Sequence, residues 1–506
     1  MQDFLVEDKY YTISEVYQCI KDKLPISLSE TSREKIQLSN ESLENAVKNE
    51  DVIYGVNTGF GKLSQVKIPK DKMGILQKKL IMSHAAGVGK DSPIEIVKIM
   101  MLLKVISLSK GFSGVRLKLL ERIIDLINID CIPIVPCQGS VGASGDLAPL
   151  SHMSLPLIGL GSIMHDNKCY SSKEILKKMK IDVFDLYQKE GLALINGTQF
   201  SSAYGVQSIN RLNELVKIAD IAGALSVEGL MGTDIPFSAK VHELKQHEGQ
   251  KASASNLFNL LQDSDIHKSH MDCDRVQDMY SLRCMPQVHG ACRDSIAAAS
   301  KMVEREINSV SDNPLILLDG SVVSAGHFHA ESVAQAMDIA SIAATELSNI
   351  SERRIFSLTK GDFGLPICLA KEPGLNSGVM MWQVTSSALA SENKVLSHPA
   401  SVDNIPTGGD QEDHVSMAPW SGRKLVKIID NLEQILAIEI LCGCLSIDFR
   451  NGLRPAYGVK HVYDEVRKHS KTIREDRILS DDVNSILNLI KSGNLLNVLK
   501  NKIELK

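Results

Sequence analysis

The tripeptide Ala143-Ser144-Gly145, followed directly by Asp146, is a place where the backbone itself could react. Glycines recur at every third position from residue 139 to residue 145, and glycine adopts backbone dihedrals that other residues avoid. The commoner interpretation of such a tripeptide is a glycine-rich connector capped by Ser or Asp. A reactive interpretation is also open, because a tight turn would bring the amide nitrogen of Gly145 onto the carbonyl carbon of Ala143.

Ring closure at this point would produce an unusual electrophile. Loss of two water molecules, one of them from the Ser144 side chain, would leave a 4-methylidene-imidazol-5-one, which no ordinary side chain can replace. Gly145 suits this step because its nitrogen is unhindered, and Asp146 could assist the proton transfers. The tripeptide alone does not decide between a connector and a ring, so the rest of the chain must.

An electrophile of this kind needs an amine to attack it and a base that removes a proton from the substrate's β-carbon. Tyr54, at the head of the glycine-rich segment Tyr54–Gly61, is the candidate base. Tyrosine is normally neutral at pH 7, so this role requires nearby positive groups or hydrogen bonds. The alternative is a packed tyrosine whose hydroxyl is satisfied. A phosphate-binding loop is excluded because Lys62 is followed by Leu63 rather than by Ser or Thr.

Two further segments carry side chains that could hold a substrate. Gln277, Tyr280 and Arg283 are spaced by three residues, which predicts that one helical face presents them together. Arg283 offers a planar fork suited to a carboxylate, although an ordinary surface ion pair is the alternative. Glu412 can accept a hydrogen bond from an imidazole N–H, or take a proton from it.

Composition bounds the class of protein. The chain has 506 residues, is 43% hydrophobic and carries a net charge of −5 with both signs interspersed, which predicts a large core and no nucleic-acid partner. Its ten cysteines show no Cys-x-x-Cys spacing, so we expect reduced thiols in a cytoplasmic protein. The acidic N-terminus lacks a signal core. Two long uncharged stretches, Leu147–Met164 and Gly374–Ser391, contain Gly and Ser. We therefore expect no membrane partner.

Helical periodicity dominates the chain. The segment from Ile94 to Leu108 is nearly continuously apolar, which predicts a buried helix. Long helices are predicted over 206–230, 333–350 and 425–445. In the last of these, Lys427, Asp430 and Glu433 mark the face expected to be more solvated. Helices of about 20 residues joined by functional loops favour a bundle with its site at the helix ends. We expect an N-terminal region (1–200) that carries the reactive tripeptide and a long-helix region (201–506), continuous as one structural unit.

The segment Gly139–His152 resembles the prosthetic-group segment of the aromatic amino acid ammonia-lyases, and the histidine-specific members resemble it most. The resemblance extends from about Tyr54 to Arg450 and includes Tyr54–Gly61. It implies a mostly α fold, a long-helix bundle of the aspartase/fumarase-like superfamily with an N-terminal loop-and-helix head that carries the ring. It also implies a homotetramer with shared active sites, an autocatalytically formed 4-methylidene-imidazol-5-one at 143–145, and no dissociable cofactor.

The resemblance assigns roles to individual residues. It supports Tyr54 as the base and disfavours a metal site at the alternating His327, His329 and Glu331, because the family implies no metal. The remaining implied roles are carboxylate binding by Arg283 with Asn196 as helper, a substrate-binding Gln277, a Tyr280 near the ring, and a Phe328 that packs on it.

His84 and Glu412 together favour L-histidine as the substrate. The histidine and tyrosine lyases resemble this chain in having His at position 84, whereas phenylalanine lyases tend to be apolar there. The phenylalanine and tyrosine lyases usually lack a Glu at position 412. The predicted reaction is the conversion of L-histidine to trans-urocanate and ammonia. A tyrosine or phenylalanine ammonia-lyase, or an aminomutase using the same ring, remains open. An inactive scaffold is disfavoured by the intact Ser144, Tyr54 and Arg283.

The chain departs from the family pattern in four places. His327 stands where Asn is usual, Ser332 where Pro is usual, and Trp382 where a smaller or unbranched residue is usual. Residues 408–410 read Gly-Gly-Asp rather than Ser-Ala-Asn, so Asp410 adds a charge close to Glu412. Because two of these departures lie next to candidate site residues, they bear on the substrate more than on the ring.

Overall fold

The computed structural model describes residues 3–49, 52–61 and 64–506, and helices dominate it. The chain forms two compact units, each built from three separate stretches. The first unit contains Met1–Asn210, Ala299–Asp338 and Pro399–Arg423; the second contains Arg211–Ala298, Ile339–His398 and Lys424–Lys506. The division expected between residues 200 and 201 falls inside a helix, and it stays a prediction.

The helices, in chain order, are α1 (Ile13–Lys21), α2 (Glu30–Lys48), α3 (Met73–His84), α4 (Ile94–Ser109), α5 (Leu117–Asn128), α6 (Leu147–Ser154), α7 (Ser172–Met179), α8 (Glu190–Ile195), α9 (Gln199–Gly229), α10 (Ala239–His242), α11 (Glu248–Leu260), α12 (Asp265–Lys268), α13 (Tyr280–Arg283), α14 (Met285–Ile307), α15 (Glu331–Thr359), α16 (Met380–Leu396), α17 (Ala418–Asp448), α18 (Tyr457–His469), α19 (Ser480–Lys491) and α20 (Asn494–Asn497).

The strands are short and form small, separate sheets. They are β1 (Phe4–Val6), β2 (Ile26–Leu28), β3 (Val88–Asp91), β4 (Ile132–Pro133), β5 (Pro136–Gln138), β6 (Ser162–His165), β7 (Lys168–Ser171), β8 (Leu315–Ile316) and β9 (Val322–Val323). β1 pairs with β2 in parallel, β3 with β5 antiparallel, and β8 with β9 antiparallel; β4, β6 and β7 form an antiparallel sheet in that order.

α4 forms the core of the first unit. Nearly all of its side chains are buried, which confirms the prediction for Ile94–Leu108 and follows from a helix that is apolar all round. α6 packs on α3 and α8, so the loop that precedes α6 is supported by neighbouring helices. At the N-terminus, α1 begins at a capping box in which the side chains of Thr12 and Glu15 each bond the other's backbone N–H.

A buried polar network joins four long helices within the second unit. Glu439 on α17 accepts two hydrogen bonds from the Arg354 guanidinium on α15, at 2.5 and 2.9 Å. Ser226 on α9 donates to the same carboxylate at 2.7 Å. His289 on α14 lies 2.8 Å from Asp220 on α9. All five of these side chains are fully buried, and buried charges are tolerated only when they are paired in this way.

The three predicted long helices are confirmed as α9, α15 and α17, and each is longer than predicted. The expected solvated face of α17 is wrong for Glu433, which is 3% exposed. Its carboxylate lies 2.8 Å from the guanidinium of Arg211 on α9, so an ion pair rather than water satisfies it. In the part of the chain that the structure describes, no helix combines the length and apolarity needed to cross a membrane.

Candidate active site

The loop that links β5 to α6 places the tripeptide Ala143-Ser144-Gly145 in a conformation that requires glycine. Gly142 and Gly145 have φ of +71° and +75°, in the left-handed region that other residues rarely adopt. A Cβ at Gly145 would lie 2.2 Å from the carbonyl oxygen of Gly197, and a Cβ at Gly142 would lie 2.2 Å from the Ser416 Oγ. The amide nitrogen of Gly145 is therefore held in a cradle that no larger residue fits.

Residues from far along the chain clamp the first half of this loop. The Met417 N–H donates to the carbonyl oxygen of Val141 at 2.9 Å, and the Ser416 Oγ donates to that of Gly142 at 3.2 Å. Ala143 is buried in a small apolar cluster with Ala400, Val415 and Met417. The loop is thus fixed from both its polar and its apolar sides.

Ser144 and Glu412 are brought together. The Ser144 hydroxyl lies 3.4 Å from the Glu412 Oε1. The other carboxylate oxygen of Glu412 accepts a hydrogen bond from the Thr407 hydroxyl at 2.6 Å, and the Thr407 N–H donates to the Glu412 carbonyl at 2.9 Å. A half-buried carboxylate is therefore oriented beside the position where the electrophile would form.

Asp146 is fully buried directly behind the tripeptide. Its carboxylate accepts hydrogen bonds from the Ser201 N–H and hydroxyl at 2.8 and 2.7 Å, and its own N–H donates to the Gly197 carbonyl at 2.8 Å. Burial raises the pKa of Asp146 to about 6, although the bonds from Ser201 oppose this. A carboxyl group with such a pKa can both hold and release a proton near neutral pH.

Asn196 follows α8 and lies 3% exposed in the same region. Its side-chain NH₂ donates to the Asn313 carbonyl at 2.7 Å and to the Asp312 Oδ1 at 3.4 Å. Asp312 is in turn paired with the buried Lys189 at 2.5 Å. For Asn196 to donate to a substrate carboxylate, the longer of its two hydrogen bonds must be exchanged.

Tyr54 lies half-buried in the loop that was expected from its glycines. Its hydroxyl oxygen accepts a hydrogen bond from the Gly61 N–H at 3.1 Å, and its ring meets Phe60 edge-on with centroids 6.3 Å apart. The phenolic oxygen is the acceptor in this contact, so its own hydrogen is not consumed by it.

His84 is the last residue of α3, and its ring orientation is fixed locally. Its Nδ1 lies 2.9 Å from the Leu80 carbonyl and 3.0 Å from the Ser83 Oγ. A proton on Nδ1 satisfies the Leu80 carbonyl and leaves Nε2 as an acceptor. Neither contact engages Nε2.

Phe328 is half-buried, and the histidines on either side of it in the sequence differ in their surroundings. His329 stacks on His414 with ring centroids 5.8 Å apart and planes 8° from parallel, while His327 is exposed. Across residues 3–49, 52–61 and 64–506, no three His, Cys, Asp or Glu side chains are grouped closely enough to hold a metal ion.

Gln277, Tyr280 and Arg283 belong to the second unit. The expected single helical face is wrong, because α13 spans only Tyr280–Arg283 and Gln277 lies in a bend before it. The Arg283 guanidinium lies 4.6 Å from the Tyr280 ring centroid, and its Nε donates to the Asp278 carbonyl at 2.9 Å. Among the described residues, no hydrogen bond involves either terminal nitrogen of the Arg283 guanidinium.

The sequence did not reveal several residues of the first unit that support the tripeptide 143–145 and the side chains around it. Ser201, Thr407 and Ser416 act through hydrogen bonds to residues named above, and single serines and threonines carry no distinguishing pattern. The sequence could have identified Lys104, because it is the only charged residue within the apolar run 99–106. The sequence could also have identified Gly197, because this glycine directly follows the candidate site residue Asn196.

A family model described as aromatic amino acid lyase matches residues 11–468. The histidine ammonia-lyase of Caldanaerobacter subterraneus subsp. tengcongensis is 44% identical over 502 residues, which is 99% of this chain and 99% of that protein.

Among solved structures, a histidine ammonia-lyase from Trypanosoma cruzi superposes with a TM-score of 0.92 at 37% identity, covering 99% of this chain and 96% of that one. A tyrosine aminomutase from Streptomyces globisporus superposes with a TM-score of 0.94 at 32% identity and covers 100% of both chains. The mostly helical, aspartase/fumarase-like fold is thereby confirmed.

Proposed function

Because the chain belongs to the aromatic amino acid lyase family, we propose that it catalyses the non-oxidative elimination of ammonia from L-histidine to give trans-urocanate. It is a carbon–nitrogen lyase. The observation that carries the choice of histidine is the oriented Glu412 carboxylate, 3.4 Å from the Ser144 hydroxyl. An acidic acceptor at this point suits an imidazole N–H and has no partner on a phenyl ring.

The residues at 143–145 fit a 4-methylidene-imidazol-5-one formed by the chain itself. Support comes from the Gly145 cradle, whose size admits only glycine, and from the buried Asp146 beside it, whose carboxylate can move protons during ring closure. When formed, the ring supplies an electrophilic carbon that the substrate's α-amine attacks. No dissociable cofactor is required.

The chain's own residues then have distinct tasks. Tyr54, acting as a base in its deprotonated form, takes the proton from the β-carbon. The electron pair of that C–H bond forms the double bond between the α- and β-carbons, and the amine leaves the α-carbon and is released as ammonia. Arg283 and Asn196 bind the substrate carboxylate, and Gln277 also binds the substrate. His84 and Glu412 hold the imidazole, while Phe328 and Tyr280 confine the ring region. Fixing the reactants in this way removes much of the entropic part of the barrier.

We further propose a cytoplasmic homotetramer whose active sites are shared between subunits. All ten cysteines are free, as expected in a reducing compartment. In the second unit, α15 and α16 expose large apolar side chains, among them Ile342, Phe356 and Met381, and such exposure is typical of a subunit interface. Light scattering on the purified protein measures the assembly directly.

The test of function is incubation with L-histidine, L-tyrosine and L-phenylalanine in parallel. We expect urocanate absorbance to rise with L-histidine alone, and intact-protein mass to be lower than the sequence mass by two waters. Activity on tyrosine or phenylalanine but not on histidine would contradict the assignment. The likeness to a tyrosine aminomutase makes a β-amino acid the second candidate product, which mass spectrometry of the reaction mixture distinguishes from an elimination product.

A further inference from the structure

Lys104 is a buried cation that none of the roles above uses. It projects from the apolar helix α4 and is fully buried. Its ammonium donates to the carbonyl oxygens of Ala193 at 3.1 Å and Asn196 at 2.5 Å. Burial lowers the pKa of Lys104 to about 7, although Asp312 and Asp146 oppose this. A buried charge is costly to keep, so its position calls for an explanation.

The carbonyl that Lys104 contacts belongs to a peptide unit that also contacts the reactive tripeptide. In a trans peptide the C=O and the N–H point to opposite sides. The Asn196 carbonyl faces Lys104, and the N–H of the same unit, on Gly197, donates to the Ser144 carbonyl oxygen at 3.4 Å. A cation on the oxygen polarises the unit and makes its N–H a stronger donor, because linked hydrogen bonds reinforce one another.

The Ser144 carbonyl is the group whose polarity matters for reactivity. In the ring proposed above, this oxygen becomes the ring carbonyl conjugated with the methylidene carbon. Electron density moves toward it when a nucleophile adds, and also when the Ser144 α-proton leaves during ring formation. A donor placed at that oxygen before the reaction stabilises the developing charge.

We propose that Lys104 is a positioning residue that acts through the Asn196–Gly197 peptide to strengthen the hydrogen bond on the Ser144 carbonyl and so raises the reactivity of the ring. The inference rests on the proposed function, since it needs the ring to exist. It adds a residue on α4 to the machinery of the electrophile. The competing account is structural: Lys104 would merely satisfy the last carbonyls of α8, which a helix end leaves without partners.

The experiment measures ring reactivity without turnover. Full-length wild type, Lys104→Met, Lys104→Arg and Ser144→Ala are exposed to cyanide, a small nucleophile, and the adduct is followed by intact mass. Lys424→Met is the matched control, because Lys424 is also buried and donates to a backbone carbonyl, that of His398. We expect roughly tenfold slower adduct formation for Lys104→Met, a near wild-type rate for Lys104→Arg and Lys424→Met, and no adduct for Ser144→Ala.

Steady-state kinetics add a second readout. Lys104→Met should lower kcat for L-histidine by a similar factor and leave KM within about twofold, because the contact acts on the electrophile and not on substrate binding. A purely structural lysine would lower the melting temperature and leave the adduct rate per ring unchanged, and that result would overturn the proposal.

The fraction of each variant that carries the ring, measured as the two-water mass deficit, distinguishes the remaining outcomes. If Lys104→Met lacks the two-water mass deficit while Lys104→Arg keeps it, charge at this position assists ring formation and the proposal is supported. If both lack it, side-chain shape matters instead of charge and the proposal fails. Absence of the deficit in the wild type would refute the proposed function itself, whereas an unchanged adduct rate in ring-bearing Lys104→Met would refute only this inference.

Discussion

Gly145→Ala is the substitution whose effect the geometry defines most closely. Gly145 has a φ of +75°, and an added Cβ would lie 2.2 Å from the Gly197 carbonyl oxygen. That oxygen is not the end of a flexible side chain. It is backbone, held by the Asp146 N–H at 2.8 Å, so it can move only if this hydrogen bond stretches or breaks.

The expected cost has two parts. A left-handed backbone costs an alanine about 1–2 kcal/mol. Relief of the collision requires a backbone shift that weakens one hydrogen bond, worth about 1 kcal/mol, and strains the surrounding packing by about 1–3 kcal/mol. The free energy of unfolding should therefore fall by roughly 3–6 kcal/mol in total.

Gly320→Ala isolates the dihedral part. Gly320 lies in the same unit with a φ of +82°, and nothing lies within 4 Å of the Cβ it would gain. Thermal unfolding of the two variants should place Gly145→Ala roughly 5–10 °C below Gly320→Ala. Intact mass should show the two-water deficit in Gly320→Ala and its loss in Gly145→Ala, because the displaced nitrogen no longer meets the Ala143 carbonyl. Equal melting temperatures with the deficit kept in both would refute the requirement for a close approach at Gly145.

Three further outcomes follow from contacts described above. Ser144→Ala should melt like the wild type yet lose the mass deficit and nearly all activity; retained activity would rule out the electrophile. Glu412→Gln replaces a charged acceptor by a neutral one and should lower kcat/KM for L-histidine by roughly tenfold, with a smaller loss on an apolar substrate; equal losses would argue against imidazole recognition. Burial alone would raise the pKa of Asp220, but the Arg293 guanidinium, 2.7 Å away, and a hydrogen bond from His289 outweigh it and lower the pKa to about 2. Because the folded pKa is depressed, the stabilisation is present above about pH 4 and is lost as pH falls toward 2, and it amounts to about 2 kcal/mol. Urea unfolding of Asp220→Asn against wild type should show a gap at pH 7 that narrows below pH 4, and a gap independent of pH would contradict this.

The predictions that the structure bears out are those with a strong local pattern. The long helices α9, α15 and α17 and the buried α4 were predictable because apolar residues recur at helical spacing over many turns. α14 was not predicted, although Ile296, Val303 and Ile307 are buried along it at helical spacing, because the buried residues between Met285 and Ile296 include His289 and interrupt the aliphatic pattern.

The wrong predictions share a different cause. Glu433 was assigned to a solvated face because a lone Glu usually is, but Arg211 on another helix pairs with it. Gln277 was placed on a helix because of its spacing, yet α13 begins only at Tyr280. In each case a partner or a boundary outside the local window decided the outcome, and no periodicity reports on that.

The candidate site likewise has features that the sequence predicted and features that it could not predict. Glycine spacing pointed to a constrained loop at 139–145, and the chemistry of each side chain suggested its use. The sequence could not show that Ser416 and Thr407 hold this loop and its neighbouring carboxylate, because such hydrogen bonds depend on the packing of distant segments. The roles assigned to Tyr54, Arg283 and Glu412 stay predictions that kinetics must test.

The clamp on the tripeptide has a consequence for how the protein matures. Ser416 reaches back across 274 residues to hold Gly142, and Glu412 reaches back across 268 to meet Ser144. A ribosome that has translated only the first three-fifths of the chain has not yet made either partner. The ring proposed at residues 143–145 is therefore expected to close late in biogenesis, and the expected mass deficit of each molecule would record that its distant segments came together correctly.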